Sequence, residues 1–540
     1  MRTSSVKKFP MLFVVGLLLM SLAAQCGGAA EPKVVEKVVT IEVEKEVEKI
    51  VTVEVEKEVE VEKVVTVEVE KEVEAPMGSF NSADRAVEEA KKYAGATIVV
   101  NYEAGLQEQD GFFFGPKWEE LTGIKVEVAG MDYNDMYSVV LQDHLTGAAS
   151  YDVLTFSPSW LIDFVAAGAL EPLNPYIDKY MKKADLEDIL PTYATEGYAK
   201  LGDTWYGLPD DGDVYILYYQ KSLFENPENQ AEFKAQYGYD LAPPKTWKEF
   251  DEIGTFFTDK YAPDIYGAGL ARAIPFPYYE WNMIFSSYGG QYFDLETMKP
   301  LINSEIGVRA LTEMAERNKF MPPGVEQWSF MENLSAWMDG KSAMTITWPP
   351  FGRWSEGLGA TTEQLSWVPT TKVAGNVGYA VPPGGRTELA GGFSFGVSAD
   401  SKNKEAAYLF VQWMNSPEIS LQRVMLPFAL RDPYRISHFE SPLYNAAWPA
   451  APDYLETLKE AALVGQADLG FPGAQQYRDQ IEIACTAVWG GADPQEALDK
   501  AAEGWEEITE RLGRDSQREA YKLWLEGPWN KPGPTVELSE

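Results

Sequence analysis

The segment "YGLPDDGDVYILYYQK", residues 206–221, places three carboxylates, Asp210, Asp211 and Asp213, within four positions. An ionised carboxylate offers only acceptors and can take two hydroxyl hydrogens at once, which suits a polyhydroxylated ligand. "DDG" is also good turn chemistry, so ligand contact and turn formation both remain open from these residues alone. Aromatic residues are abundant, with 16 Trp, 28 Tyr and 25 Phe, several of them beside Gly, Pro or Asp. Most such rings fill a core. Rings near carboxylates also match a sugar, whose C–H face stacks while its hydroxyls need directional partners. Only two histidines occur, His144 and His438, far apart in sequence. This argues against a His-based metal centre or a Ser-His-Asp triad. Neither a GxGxxG nor a GxxxxGK[ST] phosphate loop is present. No catalytic residues, no metal and no cofactor are expected.

The elements that position these residues alternate. "ATIVVNYEA", "IKVEVAGM" and "YDVLTFSP" have strand character. "FGPKWEELTG", "YNDMYSVVLQDHLTG" and "SWLIDFVAAG" have helical periodicity and end on Gly. "LEPLNPYI" is expected as a loop. The alternation predicts a parallel sheet with helices on both faces. Such a sheet binds ligands beyond the carboxyl ends of its strands, which puts Glu103, Ser157, Ser159 and Trp160 at the rim. A second α/β set follows through "YGAGL", "PYYEWNMIFSSYGG" and "TITWPP". Several long helices close the chain near Gly513, and "EGPWNKPGP" is irregular.

The amino terminus has a different character. Arg2, Lys7 and Lys8 precede an apolar run from Met11 to Leu22 and then "SLAAQCGGAA", the layout of a secretory signal. Cys26 sits where bacterial lipoproteins carry lipid, although Gln25 stands where that pattern has a small residue. The only other cysteine, Cys485, falls on an amphipathic helical pattern and is expected as a buried, inert thiol. Three near-copies of "KVVTVEVEKEVE" begin at 37, 49 and 63. Their period of two is a strand signal, while their charge spacing also suits a helix. Residues 33–74 hold fourteen Glu and seven Lys and nothing for a core, so a solvated spacer is expected. They reach at most about 140 Å extended, or about 63 Å as a helix. The chain is formally −37, which disfavours nucleic acid and anionic membrane surfaces as partners.

Residues 95 to 515 resemble the extracellular solute-binding proteins of carbohydrate ABC transporters, the maltose-binding-like solute-binding family 1. The resemblance rests on "WEELTGIKVEV", "YDVLTF", "GALEPL", "YGLPDDGDVYILYYQKSLF", "PPKTWKEF", "YYEWNMIFSSYGGQYFD", "FMENLSAWMDGKSAMTITWPP" and "SADSKNKEAAYLFVQWM" in this order. It implies a two-lobe periplasmic-binding-protein-like α/β fold joined by crossing hinge segments. A small-molecule carbohydrate would bind between the lobes and pass to permease subunits. It also implies ligand contact by Asp213, with Asp210 and Asp211 able to substitute. Ser159 and Trp160 match positions that bind from the first lobe, and Tyr278 matches a second-lobe aromatic. Trp348 and Phe351 follow a strand end, where Pro349-Pro350 leaves open which ring faces the ligand. Tyr477 or Arg478 matches the start of a late helix. Gly391 and Gly392, on the return from the second lobe, allow close backbone approach to ligand.

The expected domains are a signal at 1–26 and a stalk and linker at 27–94. Lobe one takes 95–210 and 390–440, lobe two 211–389 and 441–515, and a tail 516–540. The whole is expected as a monomer, lipid-anchored outside the cell membrane, that binds solute and catalyses nothing. A secreted glycoside hydrolase and a structural surface protein built on the repeat are the alternatives.

Overall fold

The computed structural model describes residues 81–389 and 392–527. The signal, Cys26, the repeat and Gly391 lie outside them. Two sheets organise the described chain. The first has the order Lys125–Met131, Thr97–Glu103, Val153–Phe156, Phe393–Val397, Gly207–Asp211. The second has the order Val377–Ala380, Ile216–Gln220, Ser342–Thr347, Tyr266–Ala268.

The first three strands of the first lobe are parallel, as the alternation predicts. The sheet as a whole is mixed. Phe393–Val397 runs antiparallel to both of its neighbours. It arrives from the second sheet, so it enters the first from the cleft end. The second sheet is mixed as well, with Ile216–Gln220 antiparallel to both neighbours.

Local chemistry accounts for the element ends. The helices Glu108–Thr122, Tyr133–Thr146 and Leu161–Ala167 each stop at a Gly with positive φ, at Gly123, Gly147 and Gly168. Asp132 caps Tyr133–Thr146 by accepting from the Asn134 N–H. Thr246 and Glu249 form a reciprocal cap on Trp247–Tyr261.

Three segments differ from the sequence reading. "LEPLNPYI" contains a helix, Asn174–Tyr180, with its proline in the first turn where no N–H is needed. Residues assigned to the linker form the helix Ser82–Ala90, which buries Ala83, Ala86 and Ala90 in the first-lobe core. The Gln412 amide donates to the Ser82 carbonyl at 2.9 Å. The helix Arg514–Leu525 starts at the expected end of lobe two and runs through residues assigned to the tail. It buries Tyr521 against Phe293, at 5.3 Å between ring centroids, and Trp524 against Tyr292, at 5.8 Å. In both places a short amphipathic stretch finds apolar surface only in the assembled lobe.

Cys485 is buried in the helix Ala474–Trp489, and burial pushes its thiol well up. His144 contacts Asp400 and the Ala167 carbonyl, while the buried His438 contacts Ser420. The two histidines belong to separate sets.

Candidate ligand-binding cleft

The chain leaves the first sheet at Asp211 and enters the second at Ile216. It returns between Ala380 and Phe393. A third segment, after the helix Pro417–Met425, lies across the first of these crossings. There the Gly212 N–H donates to the Asp432 carbonyl at 3.1 Å, and the Asp432 N–H donates to the Asp211 carboxylate at 2.8 Å. Glycine is required at 212 because a Cβ would run into the Pro433 carbonyl. Leu430, next to this crossing, is held at φ +49°, a region that costs a non-glycine residue energy and persists only under outside constraint.

A cavity of about 420 Å³ opens beside these crossings, with walls from both lobes. The first-lobe wall comes from strand ends. Thr97–Glu103 delivers Glu103, and Lys125–Met131 delivers Asp132 and Tyr133. The second-lobe wall is made of rings. Trp348 follows the strand Ser342–Thr347, and Phe276 and Tyr279 lie at the start of the helix Pro277–Ser287. Trp348 is half-buried, and its ring centroid lies 4.7 Å from Tyr215, 5.6 Å from Phe276 and 6.0 Å from Tyr279, all edge-on.

The floor is acidic. Oxygens of Asp211, Asp213 and Asp432 lie within 4.8 Å of one another, the one three-residue group among the described residues with metal-ligating geometry. Arg353 pairs with Asp432 at 2.8 Å, and an Arg431 nitrogen stands 4.0 Å from Asp211. Asp213 accepts from the Gly392 N–H at 3.1 Å and has no guanidinium or ammonium partner among the described residues. Burial pushes Asp211 and Asp213 well above the usual carboxylate range, and their carboxylate neighbours push them further. Burial also pushes Glu103 up to about 7, against the pull of Arg431. A calcium ion takes six to eight oxygens. Here two guanidiniums already stand beside the three carboxylates.

Of the residues singled out in the sequence, Glu103, Asp211, Asp213 and Trp348 line this cavity. The others have different positions. Asp210 lies behind the wall, paired with Arg423 at 2.6 Å and Arg431 at 2.7 Å. Strand alternation explains this, since neighbours on Gly207–Asp211 point to opposite faces. Ser159 meets Ser157 at 3.2 Å. Trp160 is buried behind Tyr133, 5.4 Å between centroids, and donates to Gln475 at 3.4 Å.

Tyr278 is buried, and its neighbour Tyr279 takes the cavity position; one residue along a helix turns the side chain to another face. Phe351 packs into the core against Phe330 and Tyr218. Tyr477 is buried with its hydroxyl on Thr509 at 2.9 Å. Gly392 does not line the cavity; a Cβ there would meet the Tyr198 hydroxyl, and its φ is +49°. Arg478 acts from behind, donating to the Tyr279 hydroxyl at 2.9 Å and the Pro275 carbonyl at 3.0 Å.

The sequence reading passed over Asp132, Tyr133, Phe276, Phe330 and Asp432. The strand-end rule that picked out Glu103 applies equally to Asp132 and Tyr133. Asp432 carries no local signal.

Residues 96–420 match the family described as bacterial extracellular solute-binding protein. The chain is 29% identical over 389 residues to a probable amino-acid ABC transporter periplasmic-binding protein, y4oP, of Sinorhizobium fredii, covering 70% of this chain and 81% of the relative. It is 25% identical to the mannitol-binding protein of Pseudomonas aeruginosa over 53% of this chain and 61% of that protein. Among solved structures, an ABC transporter solute-binding protein from Agrobacterium radiobacter K84 in complex with ribitol superposes with a TM-score of 0.63 at 22% identity. The match covers 77% of this chain and 99% of that one. Maltose-bound T. maritima MalE3 gives 0.60 at 22% identity, over 77% and 100%. The chain belongs to the bacterial extracellular solute-binding proteins, and its fold is the two-lobe fold of that family.

Proposed function

We propose that the protein is the receptor of an ABC importer and takes a sugar or polyol into the cleft between its lobes. The observation that carries this reading is the make-up of the cavity beside the crossings: aromatic rings on the second-lobe wall face carboxylates on the first-lobe wall and floor. Rings take the C–H faces of a polyhydroxylated compound, and carboxylates take its hydroxyl hydrogens. The mannitol-binding relative supports the same ligand class. A free amino acid fits less well, because its carboxylate needs a cation and no Lys, Arg or His lines the cavity.

Binding closes the lobes about the crossings at 212–215 and between Ala380 and Phe393. Lipid on Cys26 would anchor the protein outside the membrane, and the charged repeat would give the binding unit reach above the permease. No helix among the described residues is long and apolar enough to cross a membrane.

A thermal-shift screen of sugars, polyols and amino acids tests the ligand class. A ligand that binds only the folded state stabilises it by about 2.7 kcal/mol at a hundredfold excess over Kd. A response confined to amino acids would overturn the reading. For the anchor, Cys26→Ser should release the protein from membranes; equal retention of variant and wild type contradicts lipidation.

A further inference from the structure

We infer that the natural ligand is a hydroxylated compound bearing a protonated amine, with its ammonium seated on Asp213 beside Asp211 and Asp432 and its carbon skeleton against Trp348. This rests on the sugar or polyol reading and narrows it.

The first ground is charge. Five of the eighteen residues lining the cavity are acidic, namely Glu103, Asp132, Asp211, Asp213 and Asp432, and none is basic. The nearby guanidiniums are already committed. Arg423 serves Asp110 and Asp210, both at 2.6 Å. Arg431 serves Asp210 at 2.7 Å, and Arg353 serves Asp432 at 2.8 Å. Asp213 is only 8% exposed, faces the cavity, accepts from one backbone N–H and shares a hydrogen bond with the Asp432 carboxyl. Three buried carboxylates with one paired guanidinium and a second 4.0 Å away favour further positive charge, from protons or from a ligand.

The second ground is donor and acceptor balance. A neutral hydroxyl donates once and accepts twice, whereas an ammonium donates three times and accepts nothing. The floor presents carboxylate acceptors, and the Gln107 amide donor among the lining residues already points to Asp211 at 3.2 Å. The Tyr279 hydroxyl accepts from Arg478 and keeps its own hydrogen, a neutral donor on the second-lobe wall away from the floor. A floor of carboxylates in a cavity whose lining holds no cation is matched by an ammonium. The third ground is the facing wall, since the face of a Trp or Tyr ring attracts a cation. Burial first, and then the same crowding, raises the proton affinity of Asp211 and Asp213.

The test is calorimetric titration of the full chain with matched pairs: D-glucosamine against D-glucose, and N-methyl-D-glucamine against D-glucitol. A hydroxyl on a carboxylate already makes a charge-assisted bond; the ammonium adds the attraction of an ion pair in a partly closed cavity, so the amine of a pair should bind at least about tenfold tighter. Asp213→Asn should abolish that preference. If this variant fails to fold, the wild-type pairs decide alone.

Equal or tighter binding of the neutral members overturns the inference and leaves the sugar or polyol reading standing. An amine preference that survives Asp213→Asn overturns the seat assigned here. Failure of every hydroxylated compound, neutral or aminated, overturns both readings. Calcium chloride alone serves as a further arm; saturable calcium binding without an amine preference makes the cluster a metal site and overturns the inference.

Discussion

Asp210 and Asp213 stand three residues apart and belong to two different regions of the molecule. Asp210 sits in a buried network with Asp110, Arg423 and Arg431, where guanidiniums face carboxylates at 2.6 to 2.7 Å. Asp213 sits in the cavity floor with Asp211 and Asp432, where carboxylates face one another. The first region is satisfied by the protein itself and ties the helix Glu108–Thr122 to the crossing strand and to the segment beyond Met425. In the second, Arg353 pairs with Asp432 alone at close range, and Asp213 has no cationic partner among the described residues. The difference separates scaffold from site more sharply than residue type does.

The largest effect should come from breaking the satisfied region. Arg423→Met leaves Asp110 and Asp210 short of a counter-charge, and removing one partner of a buried ion pair costs about 3–5 kcal/mol. A urea melt should show that loss directly. Next, Asp213→Asn should weaken ligand while leaving stability unchanged or raised, because it relieves crowding among carboxylates. Hydrogen bonds to a charged group are worth about 1.5–3 kcal/mol, so affinity should fall about 10- to 150-fold. If Asp213→Asn instead lowers the melting temperature and keeps affinity, the two regions are alike and Asp213 is scaffold.

A smaller effect is expected on the opposite wall. Trp348→Ala removes a stacking face worth about 0.5–1.5 kcal/mol, so calorimetry should show about a two- to tenfold loss.

The last effect, read as a dependence on pH, concerns Glu103, which faces Arg431 and Asp132. Its carboxyl is raised from 4.5 to about 7 in the folded protein. Between those values the folded state binds more protons than the unfolded chain, so stability falls as pH rises through the window. Glu103→Gln should therefore raise the melting temperature more at pH 8 than at pH 5. An equal shift at both values means that Glu103 does not titrate there.

Much of the first lobe was legible because local rules decide it. Gly123, Gly147 and Gly168 stop helices wherever they occur, and strand ends present residues to the cleft, which brought out Glu103. The site was legible only in part. Asp213 follows from the resemblance, which left Trp348 and Phe351 both open, and Tyr279 in place of Tyr278 is a matter of helix rotation, which a pair of adjacent tyrosines does not reveal. Asp210 and Asp211 differ by the face of one strand. Asp432 reaches Asp211 across 221 residues of sequence, and nothing near it marks it as a floor residue. The helices Ser82–Ala90 and Arg514–Leu525 were missed because their apolar faces are short and gain meaning only against Gln412 or Phe293.

The central claim is that one ligand touches both walls and draws the lobes together. Small-angle X-ray scattering, with and without a saturating compound shown to bind by calorimetry, tests it most directly. The account predicts a smaller radius of gyration on binding with unchanged far-ultraviolet circular dichroism. Identical scattering profiles in the two states would contradict it.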